Sequence, residues 1–213
     1  PAGGFAVAGD QMGRFSGTYG KVLQNGYNAI AGPQPGDWPG FESGNFALLS
    51  TYNVRHSWMI APALNLNTNT VTFCAWIYPV GNQGGFCALY QSRNGNDAPA
   101  FGYGNNNNLG YTWNSNSAAT YNFVSGLVPP SNQWSFVALA ISPTNAVLYL
   151  YHTNGQFSAT NAIAHTVQGM TGPTFIGDDT GTLNRSFNGM IDEFAVFNRT
   201  LPPNELYNLY KKG

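Results

Sequence analysis

The sequence has few charged residues. Lysine and arginine together number 8, aspartate and glutamate number 9, and only 8% of the 213 residues are charged. An ordinary globular domain has roughly 25%. The formal net charge is -1, and the largest basic run is the pair Lys211-Lys212. A nucleic-acid-binding protein needs a basic surface to contact phosphates, so the sequence argues against nucleic acid as a partner.

Long apolar runs and cysteines are also scarce. No window approaches the roughly 18 consecutive apolar residues of a membrane-spanning helix. Residues 1–9 lack the basic start and long apolar stretch of a signal peptide, and we interpret the chain as one module of a longer protein. The two cysteines are Cys74 and Cys87. Either they face each other across a hairpin, which would allow a disulfide, or they are two small buried thiols.

Neutral polar and aromatic residues are abundant instead. Aromatic residues make up 15% of the chain, including 12 tyrosines and 5 tryptophans, and asparagine, serine and glycine recur throughout. Tyrosine and tryptophan combine an apolar face with a polar tip, and amides both donate and accept hydrogen bonds. Such a surface suits a neutral, hydrogen-bonding ligand such as a sugar, and the low charge is typical of an extracellular protein.

Short β-branched and aromatic runs between Gly, Asn and Pro turns predict an all-β fold, a sandwich or closed sheet. The predicted strands are 46–50, 58–61, 71–79, 86–92, 100–104, 109–114, 134–142, 146–153, 174–177 and 190–198. One short helix is predicted at the C-terminal end, after Pro202-Pro203, with Asn204 as a candidate N-cap. We expect residues 1–213 to form a single domain.

Two adjacent acids, Asp192 and Glu193, lie in the apolar run "GMIDEFAVF". A glycosidase needs two carboxylates on one face, about 5 Å apart in retaining enzymes and further apart in inverting ones. Neighbouring residues of a strand point to opposite faces, so Asp192 would share a face with Phe194 and Val196, and Glu193 would not. The sequence also has no Ser-His-Asp pattern, phosphate loop or dinucleotide fingerprint. We therefore expect no enzymatic activity.

Several motifs together resemble the laminin-G-like, concanavalin A-like lectin family. They are the turn from Asp10 to Gly20, "VTFCAWIYP" (71–79), "NQWSFVALAIS" (132–142), "VLYLYHTNG" (147–155), "TFIGDD" (174–179) and "FNGMIDEFAVFNRTL" (187–201). They cover most of the chain in the family's order. The resemblance implies a two-sheet antiparallel β-sandwich, a jelly roll.

In many members of this family a calcium ion joins the N-terminal turn to the last strand. The resemblance therefore implies Asp10 and Asp192 as carboxylate ligands, with backbone carbonyls completing the 6–8 oxygens that calcium prefers. The alternative for Asp192 is a buried acid that backbone N–H groups and Arg199 or Arg185 satisfy. Asp178-Asp179 is an acidic turn or a second ion site.

The best candidate for a ligand site is the hairpin "FGYGNNNNLGYTW". Strand alternation places Phe101 with Tyr103, and Tyr111 with Trp113, each pair on one face. The opposite face is nearly flat, because it carries Gly102, Gly104, Gly110 and Thr112. Either the aromatic face is a sugar platform, or it is core and the ligand lies over the glycine face.

Further candidates surround this hairpin. Asn106 and Asn114 can supply hydrogen bonds at its edge, and Arg93 is a rare charge in the nearby loop "SRNGND". The alternative for Arg93 is a solvated loop. Trp38 lies between prolines in "GDWPG", where it either binds ligand or closes the end of the sandwich.

The sequence thus predicts a non-catalytic carbohydrate-binding module that binds a neutral polysaccharide or oligosaccharide. It would bind this ligand through aromatic stacking and amide hydrogen bonds. We expect a monomeric module, with structural calcium, appended to a secreted polysaccharide-degrading enzyme. The alternative is an adhesion or spacer domain of an extracellular protein with no sugar ligand. Burial of Tyr103, Tyr111 and Trp113 would remove the aromatic platform.

Overall fold

A computed structural model describes residues 7–8, 12–19, 28–54, 57–104, 107–114, 116–179 and 185–213. The described strands are β1 (Val7–Ala8), β2 (Gly17–Tyr19), β3 (Asn28–Ala31), β4 (Phe46–Ser50), β5 (Met59–Ala61), β6 (Val71–Pro79), β7 (Ala88–Ser92), β8 (Ala100–Tyr103), β9 (Leu109–Thr112), β10 (Ser135–Ile141), β11 (Ala146–His152), β12 (Gly155–Asn161), β13 (Thr174–Ile176) and β14 (Gly189–Phe197). Among the described residues, Ser117–Tyr121 forms a π-helix and Pro203–Lys212 forms the α-helix α1. Within the described residues, no helix has the length and apolar character needed to span a membrane.

The strands form two antiparallel sheets. The first sheet has the order β1-β2-β5-β13-β7-β8-β9 and the second the order β12-β11-β10-β6-β14-β4-β3. The central strands β6 and β10 are buried on both faces. Their side chains are therefore mostly apolar in both directions. The predicted all-β sandwich is confirmed.

Two apolar clusters hold the sandwich together. The inner core lies between the sheets and contains Phe73, Leu89, Phe101 and Leu139. The outer cluster covers the opposite face of the second sheet. It contains Phe41, Trp76, Phe136, Tyr151 and Leu206, with Trp38 and Tyr210 packed against it. Alternation along β6 divides its side chains between the two clusters.

Helix α1 closes the outer cluster. Its N-cap is Pro202, which provides no side-chain hydrogen bond, and a proline occupies the first turn. The prediction of Asn204 as N-cap is therefore wrong, since the helix begins at Pro203 and its N-cap lies two residues earlier than predicted. Proline is well tolerated there, because the first N–H groups of a helix have no intrahelical partner. Leu206 is fully buried against the sheet.

Cys74 and Cys87 are both free and buried. They do not face each other, because β6 and β7 belong to different sheets and form no hairpin. Cys74 packs in the outer cluster and Cys87 in the inner core. Burial raises the pKa of the Cys74 thiol to about 12 and that of Cys87 further. The disulfide alternative is thus wrong, and the buried-thiol alternative is the one the structure shows.

A β-bulge interrupts β14. The register with β6 shifts between Asp192 and Ala195, and Glu193 has a φ of 47°. The extra residue changes which positions face inward: Ile191 before the bulge packs in the inner core, and Phe194 and Val196 after it pack there too. The prediction that Asp192 shares a face with Phe194 and Val196 is wrong, because a bulge shifts the alternation by one residue.

Candidate functional site

A pocket of about 220 Å³ lies over β7, β8 and β9. Its floor is made of small residues from paired positions: Ala88 lies opposite Gly102, which lies opposite Gly110, and Ala100 lies opposite Thr112. Phe101 and Tyr111 point from the same strands into the inner core, so the small residues point to the outer face. We call this pocket the glycine groove; its floor is Ala88, Ala100, Gly102, Gly104, Gly110 and Thr112.

Glycine is required at some floor positions and leaves space at another. A Cβ on Gly102 would lie 2.2 Å from the carbonyl oxygen of Cys87, and one on Gly110 would lie 3.0 Å from the backbone nitrogen of Gly104. A Cβ on Gly104 would meet no atom closer than the carbonyl oxygen of Tyr121, at 4.0 Å. The space above Gly104 is therefore open.

Phe86 and Tyr121 form an aromatic wall of the groove. Their rings stack with centroids 3.7 Å apart and planes 12° apart, and both residues are partly exposed. Phe86 has a φ of 66°, which is rare for a bulky residue. Tyr121 ends the π-helix, a rare turn that is frequent at functional sites. Two strained or uncommon backbone segments thus bring the two rings together beside the glycine floor.

Arg93, Asp179 and Arg185 form a charged wall. Nη2 of Arg93 lies 3.2 Å from Oδ1 and 3.4 Å from Oδ2 of Asp179, and Nη1 of Arg185 lies 2.8 Å from Oδ2. The Asp179 side chain is 8% exposed, whereas those of Arg93 and Arg185 are 44% and 33% exposed. The two guanidinium groups therefore face outward and share a carboxylate buried behind them.

The predicted aromatic platform is part of the core. Tyr103, Tyr111 and Trp113 are buried. The Tyr111 hydroxyl lies 2.9 Å from Nε2 of His165 and accepts a hydrogen bond of 2.9 Å from Nδ2 of Asn161. These rings therefore offer no exposed stacking face. Of the two alternatives for the hairpin, the geometry supports the one in which the ligand lies over the glycine face.

The other predicted ligand-binding residues are distributed over the molecule. Arg93 lines the groove. Asn114 is half-buried, has a φ of 52° and is not among the described lining residues. Asn106 lies outside the described residues. Trp38 packs edge-on against Trp76, with ring centroids 4.9 Å apart, so it covers the outer cluster rather than the groove.

Four residues of the two groove walls were not predicted as ligand-binding: Phe86, Tyr121, Asp179 and Arg185. Phe86 and Tyr121 are unremarkable in sequence, because neither a positive φ at phenylalanine nor a π-helix has a recognisable motif. Asp179 was interpreted as part of either an acidic turn or a second ion site. The scarcity of charge is the one signal that could have linked Arg93, Asp179 and Arg185, because three of so few charged residues meet here.

Asp192, the predicted calcium ligand, is half-buried in a polar cluster on the second sheet. Its Oδ2 accepts a hydrogen bond of 2.6 Å from Nδ2 of Asn45, and its Oδ1 accepts one of 2.9 Å from the backbone N–H of Glu193. Burial raises the pKa of Asp192 to about 6, and the charges of Glu193 and Glu42 add to this. One backbone N–H group, that of Glu193, thus bonds Asp192 as the buried-acid alternative expects, and the Asn45 side chain supplies the second hydrogen bond.

The arginines proposed for Asp192 bind elsewhere. Arg199 pairs with Glu205, and Arg185 pairs with Asp179. As placed, the donors around Asp192 do not fit a calcium ion, because N–H groups contact both carboxylate oxygens. An ion would need the Asn45 side chain to turn its amide oxygen toward Asp192. Asp10 lies outside the described residues, and the calcium site stays a prediction.

Comparison with known proteins identifies the family. The profile described as concanavalin A-like lectin/glucanases superfamily matches residues 53–206, which is well over half of the chain. The chain belongs to this superfamily. The resemblance predicted from the sequence motifs is therefore confirmed. No curated protein matches the chain.

Solved structures show the same fold. Domain 4 of AbnA, a GH43 extracellular arabinanase from Geobacillus stearothermophilus solved in complex with arabinotriose, is 18% identical, with a TM-score of 0.64. The match covers 96% of this chain and 98% of that domain. Trypanosoma rangeli sialidase in complex with the inhibitor DANA is 13% identical, with a TM-score of 0.61. That match covers 99% of this chain but 33% of the sialidase. At such identities the likeness is one of fold.

Proposed function

We propose that this chain is a non-catalytic carbohydrate-binding module that binds a polysaccharide reversibly in the glycine groove. The observation that carries the proposal is the groove itself: an open floor of small residues beside the stacked Phe86–Tyr121 pair. The apolar C–H face of a sugar ring packs well against such surfaces. Sugar hydroxyls would accept hydrogen bonds from Arg93 and Arg185 and bond with the hydroxyl of Thr112.

We propose binding without catalysis because the described lining of the groove has too few carboxylates for glycoside hydrolysis. Asp179 is the one acid among the described residues that line the groove, and both of its oxygens contact arginines. Glycoside hydrolysis uses a pair of carboxyl groups on either side of the bond. A single carboxylate engaged by two guanidinium groups cannot supply both roles.

The host protein is part of the proposal. The full-length match to one domain of an extracellular arabinanase supports a single, monomeric module appended to a secreted polysaccharide-degrading enzyme. A lone module of this kind would bind with a Kd of about 1 μM to 1 mM, or about -8 to -4 kcal/mol. The host would make this affinity useful by raising the effective concentration. The uncharged floor suits the neutral glycan predicted from the sequence over most of the groove.

The test is affinity electrophoresis of the purified module in gels that contain arabinan, xylan, galactan, pectin or no polysaccharide. Gly104→Leu would fill the open space above the floor, whereas Gly36→Leu places the same side chain at an exposed glycine with no atom near its Cβ. We expect the unmodified module and Gly36→Leu to be retarded by at least one polysaccharide. Gly104→Leu should migrate freely while keeping its melting temperature.

Two results would contradict the proposal. Equal retardation of Gly104→Leu and Gly36→Leu would place the binding site outside the glycine groove. No retardation of the unmodified module in any gel would instead favour the adhesion or spacer alternative.

A further inference from the structure

We infer that the glycan bound in the glycine groove carries a carboxylate, which Arg93 and Arg185 bind. The inference rests on the proposed function and refines its ligand. In the charged wall the two arginine side chains are partly exposed, and the Asp179 side chain is almost entirely buried. A ligand in the groove would therefore meet the cations and not the anion.

The hydrogen-bonding capacity of the wall leads to the same conclusion. A guanidinium group has five N–H donors and no acceptor. Asp179 is contacted through Nη2 of Arg93 and Nη1 of Arg185, so each arginine has donors beyond those that Asp179 engages. Asp179 meanwhile has both oxygens occupied. The wall is thus rich in donors and poor in acceptors, which is the complement of a carboxylate.

The charge of the wall has the required sign. Two arginines and one aspartate leave a net charge of about +1 at a pocket whose other described lining residues are uncharged at neutral pH. The neighbouring Asp178 is buried, and burial raises its pKa to about 7, so at pH 6 it is mostly uncharged. The chain as a whole has a net charge of -1. The groove therefore has a positive wall in a protein of almost neutral surface.

The shape of the wall favours a planar anion. Guanidinium groups bind carboxylates through paired, parallel hydrogen bonds. The shared ion pair with Asp179 also holds both side chains in place before ligand arrives, which lowers the entropy lost on binding. The glycine floor and the Phe86–Tyr121 pair would hold the sugar ring next to this wall. The ligand class is then a polysaccharide that contains uronic acids, such as a galacturonate or mannuronate chain.

The experiment compares each acidic oligosaccharide with its own carboxyl-reduced form. Oligogalacturonides and oligomannuronates would be titrated into the module by calorimetry at pH 6, beside reduced oligomers of the same length and linkage. We expect at least one acidic oligomer to bind at least tenfold more tightly than its reduced form. Raising the salt concentration should weaken the acidic oligomer alone, because salt screens the charge attraction.

Matched variants assign the effect to the wall. Arg93→Gln and Arg185→Gln should each lower the affinity for the acidic oligomer about tenfold. The affinity for the reduced oligomer should fall much less, because the amide of glutamine can still donate a hydrogen bond to a sugar hydroxyl. Arg199→Gln is the control, because Arg199 pairs with Glu205 outside the groove, and it should bind as the unmodified module does. Melting temperatures would verify that each variant is folded.

Each other outcome has a defined meaning. If reduced oligomers or neutral polysaccharides bind as tightly as acidic ones, the inference is overturned and the proposed function stands. An acidic preference that is equal in all three arginine variants overturns the role of the wall. If no acidic, reduced or neutral glycan binds, the proposed function fails and this inference fails with it.

Discussion

Phe86 and Tyr121 lie face to face beside the glycine groove, with ring centroids 3.7 Å apart. Phe86 reaches this position with a φ of 66°, a conformation that costs non-glycine residues about 1–3 kcal/mol. A backbone strain of this size at an otherwise ordinary loop is consistent with a residue placed for binding rather than for stability.

The strain can be measured by comparing two variants. Phe86→Ala removes the ring and keeps a Cβ, whereas Phe86→Gly removes both. We expect Phe86→Gly to be more stable than Phe86→Ala by about 1 kcal/mol in urea unfolding, because glycine adopts positive φ without a steric penalty. Both variants should lose binding to the same extent. If Phe86→Ala is the more stable variant, Phe86 is not strained.

Trp38 is expected to contribute to stability and not to binding. It packs against Trp76 in the outer cluster, so Trp38→Ala should lower the free energy of unfolding by about 2 kcal/mol, less than the 3–5 kcal/mol typical of a fully buried tryptophan. Calorimetric titration with a polysaccharide that retards the unmodified module in the gel should give an unchanged Kd. A Kd raised tenfold in a folded variant would show instead that Trp38 contributes to binding.

Asp178 should make the module less stable as the pH rises. Burial raises its folded-state pKa to about 7, above the value of about 3.9 expected for an unfolded chain. The folded state therefore binds the proton more tightly, and stability is lost between about pH 4 and pH 7. Asp178→Asn should stabilise the module at pH 8, on the order of 2 kcal/mol, and have little effect at pH 4.

Asp192 complicates the same measurement, because its pKa is raised to about 6. The Asp178→Asn variant should therefore keep part of the decline between pH 4 and pH 6. Asp37→Asn is the matched control, since Asp37 is exposed, and it should follow the unmodified module at every pH. Equal stabilisation by Asp178→Asn at pH 4 and pH 8 would show that Asp178 is not the titrating group.

The predicted calcium site can be tested by thermal unfolding. An ion that binds only the folded state stabilises it by about 2.7 kcal/mol at a concentration a hundredfold above its Kd. The calcium site predicted from the sequence requires that calcium raise the melting temperature relative to EDTA and that Asp192→Asn abolish that rise. Identical melting in calcium and EDTA would instead support the hydrogen-bonded arrangement of Asp192 with Asn45.

Most of the fold was predictable because its strands follow the ordinary alternation rules. Strands β4 and β6 have the bounds predicted for them, and β8 and β9 form the predicted hairpin. β12 was not predicted because most of its side chains are exposed and polar. The cysteine hairpin was wrong because a turn motif does not reveal whether the chain returns to the same sheet.

The groove was only half predictable. All of its floor except Ala88 comes from one hairpin, where glycine alternation is visible in the sequence. Its walls come from Phe86, Arg93, Tyr121, Asp179 and Arg185, which are far apart along the chain. Loop conformations bring them together, and two of these conformations, a positive φ at phenylalanine and a π-helix, are ones that local sequence does not favour.

The reactivity of the two buried thiols can be used to detect local unfolding of the protein. Only a thiolate reacts with alkylating or oxidising reagents, and burial keeps Cys74 and Cys87 protonated and covered. Because no cross-link joins them, a reducing environment has no disulfide between these cysteines to cleave, and each becomes reactive only when its own layer opens. Cys87 would reveal separation of the two sheets, and Cys74 would reveal loss of the covering helix and loop. Their labelling rates would therefore show whether the two layers open together or in sequence.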